Sequence, residues 1–242
     1  MRLLGYYLAE GRTTSGFTEF TFGIHETEFH KDCIELAEKI FRIKPRLSET
    51  EDNTLKITMA SSDIARFFER LCNTGSHNKK LPEFIWDLPY LYFVELLKGY
   101  GRGDGYITKQ GKLSITSVSK QLITELAWLC SMHGIKPGIK TEMIKPGRVI
   151  KKKALPGGRA WTLIIGKTSN PFIDNENPEK QFKKPAVKKI TELPYNDYVY
   201  DLCGCDNEAF FGGEKPVLLH NSRVRDTFET AKKTAPSIIF ID

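Results

Sequence analysis

Apolar positions along the chain switch between two periods, and the order of the switches repeats. Gly16–Glu26 alternates, Phe20, Phe22 and Ile24 against Thr21, Gly23 and His25, which predicts a half-buried strand. From Glu28 to Ile43 the spacing becomes helical through Ile34, Leu36, Ala37, Ile40 and Phe41, with Pro45 just beyond as a stop signal. Asn53–Ala60 returns to alternation (Leu55, Ile57, Met59). Ser61–Leu71 predicts a helix, capped by Ser61 or Ser62 and striped by Ile64, Phe67, Phe68 and Leu71. An apolar stretch, Pro82–Gly103, predicts a further helix. The second half echoes this order: strand material over Tyr106–Ser119, a helix over Lys120–Gly134 with Leu122, Ile123, Leu126, Ala127 and Cys130 inward, then a hairpin region, Ile135–Lys167. The expected fold class is α+β: a pseudo-twofold domain in which the strands of each half form a curved sheet.

Two stretches sharpen that expectation. Leu3-Leu4-Gly5-Tyr6-Tyr7-Leu8-Ala9-Glu10-Gly11 and Leu97-Lys98-Gly99-Tyr100-Gly101-Arg102-Gly103-Asp104-Gly105 carry Leu, Gly, Tyr, an acid and Gly at matching places, 94 residues apart. That period is too long for a solenoid and suggests two facing half-domains. Gly5, Gly99, Gly101 and Gly103 allow two helices to pack with their backbones close. Gly11 and Gly105 fall where a left-handed cap is expected. Glu10 and Asp104 then sit at helix C-termini, where an acid is disfavoured by about 0.3–1 kcal/mol. Two acids so placed on touching helices call for a cation, and divalent metal ions answer that need. An acid before a glycine is also ordinary turn chemistry; the matched pair argues against leaving it there.

These stretches resemble the paired motifs of LAGLIDADG (DOD-type) homing endonucleases. The resemblance covers residues 1–170, with halves at about 1–95 and 96–170. It implies that Glu10 and Asp104 are metal ligands at a shared catalytic site, that Mg²⁺ is the cofactor, and that the substrate is double-stranded DNA cut in both strands. His77-Asn78-Lys79-Lys80-Leu81-Pro82 is polar and precedes a helix start at Pro82, so its lysines are expected free at the surface. It resembles the Lys-x-Ile/Leu-Pro block of intein-borne members, which implies a catalytic Lys79 approaching the scissile phosphate. Lys140 is the candidate counterpart in the second half.

Charge suits this substrate. The 242-residue chain has a net charge of +6 and a pI near 8.9. Lys109, Lys112, Lys136, Lys140, Lys145, Arg148, Lys151, Lys152, Lys153 and Arg159 are the candidate DNA-binding residues; a merely solvated hairpin is the alternative. Five cysteines without framework spacing point to structural thiols in a reducing, cytoplasmic compartment. No apolar run approaches the ~20 residues of a membrane span.

Residues 171–194 have linker chemistry, rich in Asn, Pro and Lys. Beyond them, Tyr198–Leu202, Ala209–Phe211 and Pro216–Leu219 predict strands, the last running into His220-Asn221-Ser222. Asn before a small residue can close its amide onto its own carbonyl. A neighbouring His220 can assist, and Ser222 offers a hydroxyl nucleophile. Alone this triplet is a plain strand end. With Val199-Tyr200-Asp201-Leu202 and Phe210-Phe211-Gly212-Gly213 before it, it resembles the C-terminal splicing blocks of inteins, a small all-β part of a Hint domain at residues 195–221. Asp201 then matches an assisting acid, while Glu208 stands where that family often has His. Residues 222–242, ending Ile238-Ile239-Phe240-Ile241-Asp242, resemble the Walker B region of FtsH-type AAA+ ATPases without a phosphate loop, as a partial C-extein. The expectation is a fragment, lacking an N-terminal splicing segment and most of its host exteins. The competing expectation is a catalytically degenerate DNA-binding insertion in an AAA+ ATP-dependent protease fragment.

Overall fold

Helix α1 (Arg2–Glu10) lies against helix α4 (Tyr90–Gly103) with no side chain at the crossing. A Cβ added at Gly5 would overlap the carbonyl oxygen of Leu96 and come within 2.6 Å of the Tyr100 nitrogen. One added at Gly99 would overlap the carbonyl oxygen of Arg2. The computed structural model in which this is seen describes residues 1–147, 149–150, 153–154, 157–172, 189–192, 194, 196–198, 202, 205, 209–214, 216–220 and 233. It divides into two units, Met1–Lys180 and Gln181–Asp242.

In the first unit the elements follow one another as α1, β1 (Gly11–Thr13), β2 (Thr18–Gly23), α2 (Thr27–Phe41), β3 (Arg46–Glu49), β4 (Thr54–Met59) and α3 (Ser62–Cys72). After them come α4, β5 (Gly105–Ile107), β6 (Leu113–Ser117), α5 (Lys120–Met132), β7 (Pro137–Ile144), β8 (Val149–Ile150), β9 (Lys153–Ala154) and β10 (Gly158–Ile165). Two antiparallel four-stranded sheets result, ordered β1-β2-β4-β3 and β5-β6-β10-β7. In both, the strands of one half run first, second, fourth, third. The pseudo-twofold α+β architecture expected from the repeated pattern is therefore present. One apolar core runs through both halves, from Tyr6, Tyr7, Phe20, Phe22 and Phe68 to Phe93, Leu96, Ile115, Leu126 and Leu163.

The halves differ where their motifs differ. Tyr7 stacks on Phe68 with ring centroids 4.5 Å apart. Its counterpart Gly101 has no side chain, and the space beside it is taken by Phe172, 3.5 Å from where a Cβ would stand. Asn170 anchors that segment by donating to the Gly111 carbonyl at 3.0 Å. Arg102, where the first motif has Leu8, reaches out of the core to Asp32 of α2 at 2.8 Å and to the Tyr6 hydroxyl at 2.9 Å.

Several expectations are corrected. Gly11 and Gly105 are not left-handed caps. Gly11 is extended (φ −82°, ψ 141°), and both glycines open strands directly from a helix end. Each is needed because a Cβ would collide with its own helix: at Gly11 with the Tyr7 backbone at 2.6 Å, at Gly105 with the Gly101 carbonyl. Gly101 faces Phe172 and Leu113, away from the helix crossing. The Pro82–Gly103 helix is broken into a 3-10 turn, Glu83–Asp87, and α4, because Pro89 holds Leu88 extended (ψ 141°) and restarts the helix at Tyr90. β3 lacks apolar alternation because all four of its residues are exposed at a sheet edge.

In the second unit β11 (Ala209–Gly212) and β12 (Val217–His220) pair antiparallel, with Ala209 opposite His220. Most of the expected strand at Tyr198–Leu202 lies outside the described residues.

The helix crossing leads to a stability test. Gly99→Ala is expected to cost about 1–3 kcal/mol, the usual range for overpacking, or a melting point lower by roughly 3–10 °C for a domain of this size. Gly16→Ala, where nothing lies within 4 Å, is expected to leave it within about a degree. Thermal unfolding of both variants checks the contrast.

Candidate metal and nucleic-acid site

Because α1 and α4 touch backbone to backbone, their C-terminal ends come together. A Cβ on Gly103 would overlap Ala9 and stand 3.0 Å from Glu10 Cγ and 3.6 Å from its Oε1. The next residue is Asp104, which caps α4. Glu10 and Asp104 thus flank one junction, where each half turns from its helix into its first strand.

Both carboxylates are disfavoured as anions, chiefly by burial. Burial pushes the Glu10 carboxyl up to about 7, the negative charges of Asp104 and Glu26 add to that, and Lys79 opposes it. Asp104 is raised to about 6 by surrounding protein, again opposed by Lys79. Asp104 is nevertheless an exposed residue, so solvent screens much of that effect. Two acids destabilised as anions and placed side by side are the usual precondition for holding a cation. Among the described residues no group of three or more His, Cys, Asp and Glu gathers to hold a metal, so this site offers two protein carboxylates.

Lys79 is not a free surface lysine. It is 6% exposed, and its ammonium donates to the carbonyls of Tyr7 at 2.8 Å, Leu8 at 2.9 Å and Ala9 at 3.3 Å. Burial pulls its pKa down to about 8, against the upward influence of Asp104 and Glu10. The partly exposed lysine of the pair is Lys80, 3.9 Å from Glu83. Burial alternates here: Lys79 and Leu81 are buried, and Lys80 between them is partly exposed. The apolar Leu81 two places on was the signal in the sequence that marked Lys79 as the inward lysine.

The outer faces of the sheets carry polar rows set by register. On the first, Arg12, Glu19, Thr58 and Arg46 align, followed by Thr21, Lys56 and Ser48. On the second, Thr116, Thr162 and Lys140 align, with the two threonine hydroxyls 2.8 Å apart. Lys140 pairs with Glu142 on its own strand. Lys109 and Lys112 are exposed in the β5–β6 turn, and Lys136 and Lys145 at the two ends of β7. Arg159 is exposed, yet its register places it on the opposite face of β10 from Thr162 and the Lys140 row. Among the described residues, the basic side chains of the hairpin therefore do not share one face. Arg12 on β1, Arg46 on β3 and Lys56 on β4 were not among the basic residues expected from the sequence; for Lys56 the alternation of β4 was the available cue. Arg148, Lys151 and Lys152 lie outside the described residues, and of Lys153 only the backbone, in β9, is described.

His220 closes β12, and only its backbone is described; Asp201, Glu208, Asn221, Ser222 and Asp242 lie outside the described residues. Among the described residues no helix is long and apolar enough to cross a membrane.

No family model matches the chain. Over 99% of its length it is similar to the replication factor C small subunit of Methanocaldococcus jannaschii, 27% identical over 321 aligned residues, or 17% of that protein. It is 26% identical to a DNA polymerase of Thermococcus sp. (strain GE8), across 91% of this chain and 15% of the polymerase. The uncharacterized protein MJ1054 of M. jannaschii is 26% identical over 93% of this chain and 28% of its own length. The chain thus spans less than a third of the curated relatives it matches. Among solved structures, the homing endonuclease I-DmoI in complex with DNA and Ca has a TM-score of 0.47 at 12% identity, over 68% of this chain and 81% of that one. Full-length WhiA from Thermatoga maritima has a TM-score of 0.43 at 18% identity, over 68% and 49%.

A raised carboxyl pKa has a definite linkage sign. Between its unfolded value and about 7, folded Glu10 holds a proton that the unfolded chain releases, so stability rises as pH falls through that window. In metal-free buffer the melting point is expected to climb from pH 8 to pH 5.5. Glu10→Gln is expected to raise stability at pH 8 by on the order of 1 kcal/mol, about 2–4 °C, with little effect at pH 5. Melting curves of both proteins across that range provide the check.

Proposed function

We propose that residues 1–170 act as a divalent-metal-dependent DNA endonuclease of the LAGLIDADG type, hydrolysing one phosphodiester in each strand of double-stranded DNA. The observation that carries this reading is the pair Glu10 and Asp104, brought to one junction by the α1–α4 crossing and each disfavoured as an anion there. The donor set fits Mg²⁺, a hard cation that accepts one or two carboxylates and fills its remaining positions with water and phosphate oxygens. When bound, such an ion polarises the phosphodiester and lowers the pKa of a coordinated water. Glu10 and Asp104 would hold it as paired anionic ligands. Exposed Arg12, Arg46, Lys109, Lys112 and Lys136 supply positive charge for backbone phosphates, with affinity falling steeply as salt rises.

The proposal extends to the gene context. The same stretch matches parts of proteins named as a replication factor C small subunit and as DNA polymerases, occupying 14–17% of each. A segment shared by such differently named hosts supports an inserted, intein-type element. On that reading residues 195–221 belong to its splicing part and 222–242 to an AAA+ extein. The Asn221 side-chain nitrogen attacks the Asn221 carbonyl carbon, the bond to Ser222 breaks, and the Ser222 amine leaves with a proton while a succinimide remains. His220 polarises the carbonyl or delivers that proton. Buried free thiols at Cys33, Cys72 and Cys130 fit a reducing, cytoplasmic setting.

Supercoiled DNA bearing an uninterrupted host site, incubated with Mg²⁺, is expected to be nicked and linearised. Glu10→Gln and Asp104→Asn are each expected to slow this at least about 100-fold; equal cutting by the variants would overturn the assignment, and binding without cutting by the wild type would favour a degenerate DNA-binding module. Mass spectrometry of the full chain is expected to find a released peptide beginning at Ser222, absent in Asn221→Ala. Identical intact masses for the two would remove the splicing part.

A further inference from the structure

The sequence resemblance assigns Lys79 to the phosphate, but its three donors are already engaged. They cap the carbonyls of Tyr7, Leu8 and Ala9, the last ones before Glu10. Tyr7's carbonyl also accepts from the Gly11 backbone, so the ammonium closes the helix at the residue where the chain turns into β1. A helix C-terminus leaves its final carbonyls without intrahelical partners, and a buried cation is a strong partner for them. Lys79 also packs over the Tyr7 ring, 5.4 Å from its centroid.

The segment around Lys79 is held from both halves. Lys80 donates its backbone N–H to the Cys72 carbonyl at the end of α3, at 3.1 Å. From the second half, the Ser119 hydroxyl donates to the Lys79 carbonyl at 2.6 Å, and Glu125 accepts from the Leu81 backbone at 2.7 Å. Ser119 is also the N-cap of α5, accepting from Leu122. Residues 79–81 therefore form a strap that runs from the end of α3 to the start of α5 and plugs the end of α1. The end of α4 carries Asp104 as its cap.

Resting on the endonuclease reading, we infer that Lys79 is a positioning residue: it fixes the end of α1, and with it Glu10, and the strap ties that acid to the second half through Ser119 and Glu125. It does not contact DNA. The competing role, a lysine that swings to the phosphate, requires breaking three hydrogen bonds in a buried site.

The two roles part in three measurements on the full chain. Acetylation by an N-hydroxysuccinimide ester, read by mass spectrometry, is expected to spare Lys79 with or without double-stranded DNA while modifying Lys109 and Lys112. Calorimetric titration with Mn²⁺ alone is expected to show binding weakened at least roughly tenfold in Lys79→Met, the scale seen when groups that orient metal ligands are lost. Charge by itself would act the other way, since removing a neighbouring cation favours the metal. Amide exchange at residues 8–11 is expected to quicken about tenfold or more in the same variant. Ready acetylation of Lys79 that DNA suppresses, or Mn²⁺ binding unchanged or tighter in the variant, would overturn the inference. Should the endonuclease reading alone fail, the wild type would neither cut DNA nor bind Mn²⁺, yet Lys79 would still resist acetylation and its loss would still loosen residues 8–11.

Discussion

The backbone contact between α1 and α4 at Gly5 and Gly99 sets the distance on which the rest of this molecule depends. A single methyl group at either glycine would meet a carbonyl oxygen of the other helix, and no rotation of a side chain relieves that. Held so closely, the helices end together at Ala9, Glu10 and Gly103, and the two sheets are carried out on either side. The acid pair follows from the packing. The burial of these carboxylates is a cost the fold carries at neutral pH, which is the pattern expected where function and stability compete.

The two halves share a topology but not a filling. Tyr7 packs the first half from within its own motif, whereas Gly101 leaves that room to Phe172 from the chain that follows β10. Leu8 is buried, whereas Arg102 ties α4 to Asp32 and Tyr6. In the first half Lys79 plugs the end of α1, whereas α4 is capped by Asp104 itself. The acids of such a site need not be equivalent: Glu10 stands behind a capped, buried helix end, and Asp104 on a more open one.

Much of this was legible in the sequence because it obeys a period. The alternation of Phe20 and Phe22, the stripe of Ile64 and Phe68, and the matched glycines and acids each state a local rule that the packing then follows. What escaped reading lacked a period or depended on distant partners. β3 is exposed at an edge, so nothing obliges its residues to alternate. Gly11 and Gly105 looked like left-handed caps because glycine is common there; they are glycines because a Cβ would strike the preceding turn. Lys79 and Lys80 are adjacent and chemically alike; Leu81 was the cue to which turns inward, but the bonds that fix it, to Cys72 and Ser119, come from distant parts of the chain.

The central claim is that Glu10 and Asp104 form one cation site because the helix crossing unites them. A double-mutant cycle in Mn²⁺ affinity, with Glu10→Gln, Asp104→Asn and the pair, measures this most directly. One shared site predicts that either single change weakens binding nearly as much as both together. Losses that simply add, or a variant that binds as the wild type does, would show two independent acids and contradict the account.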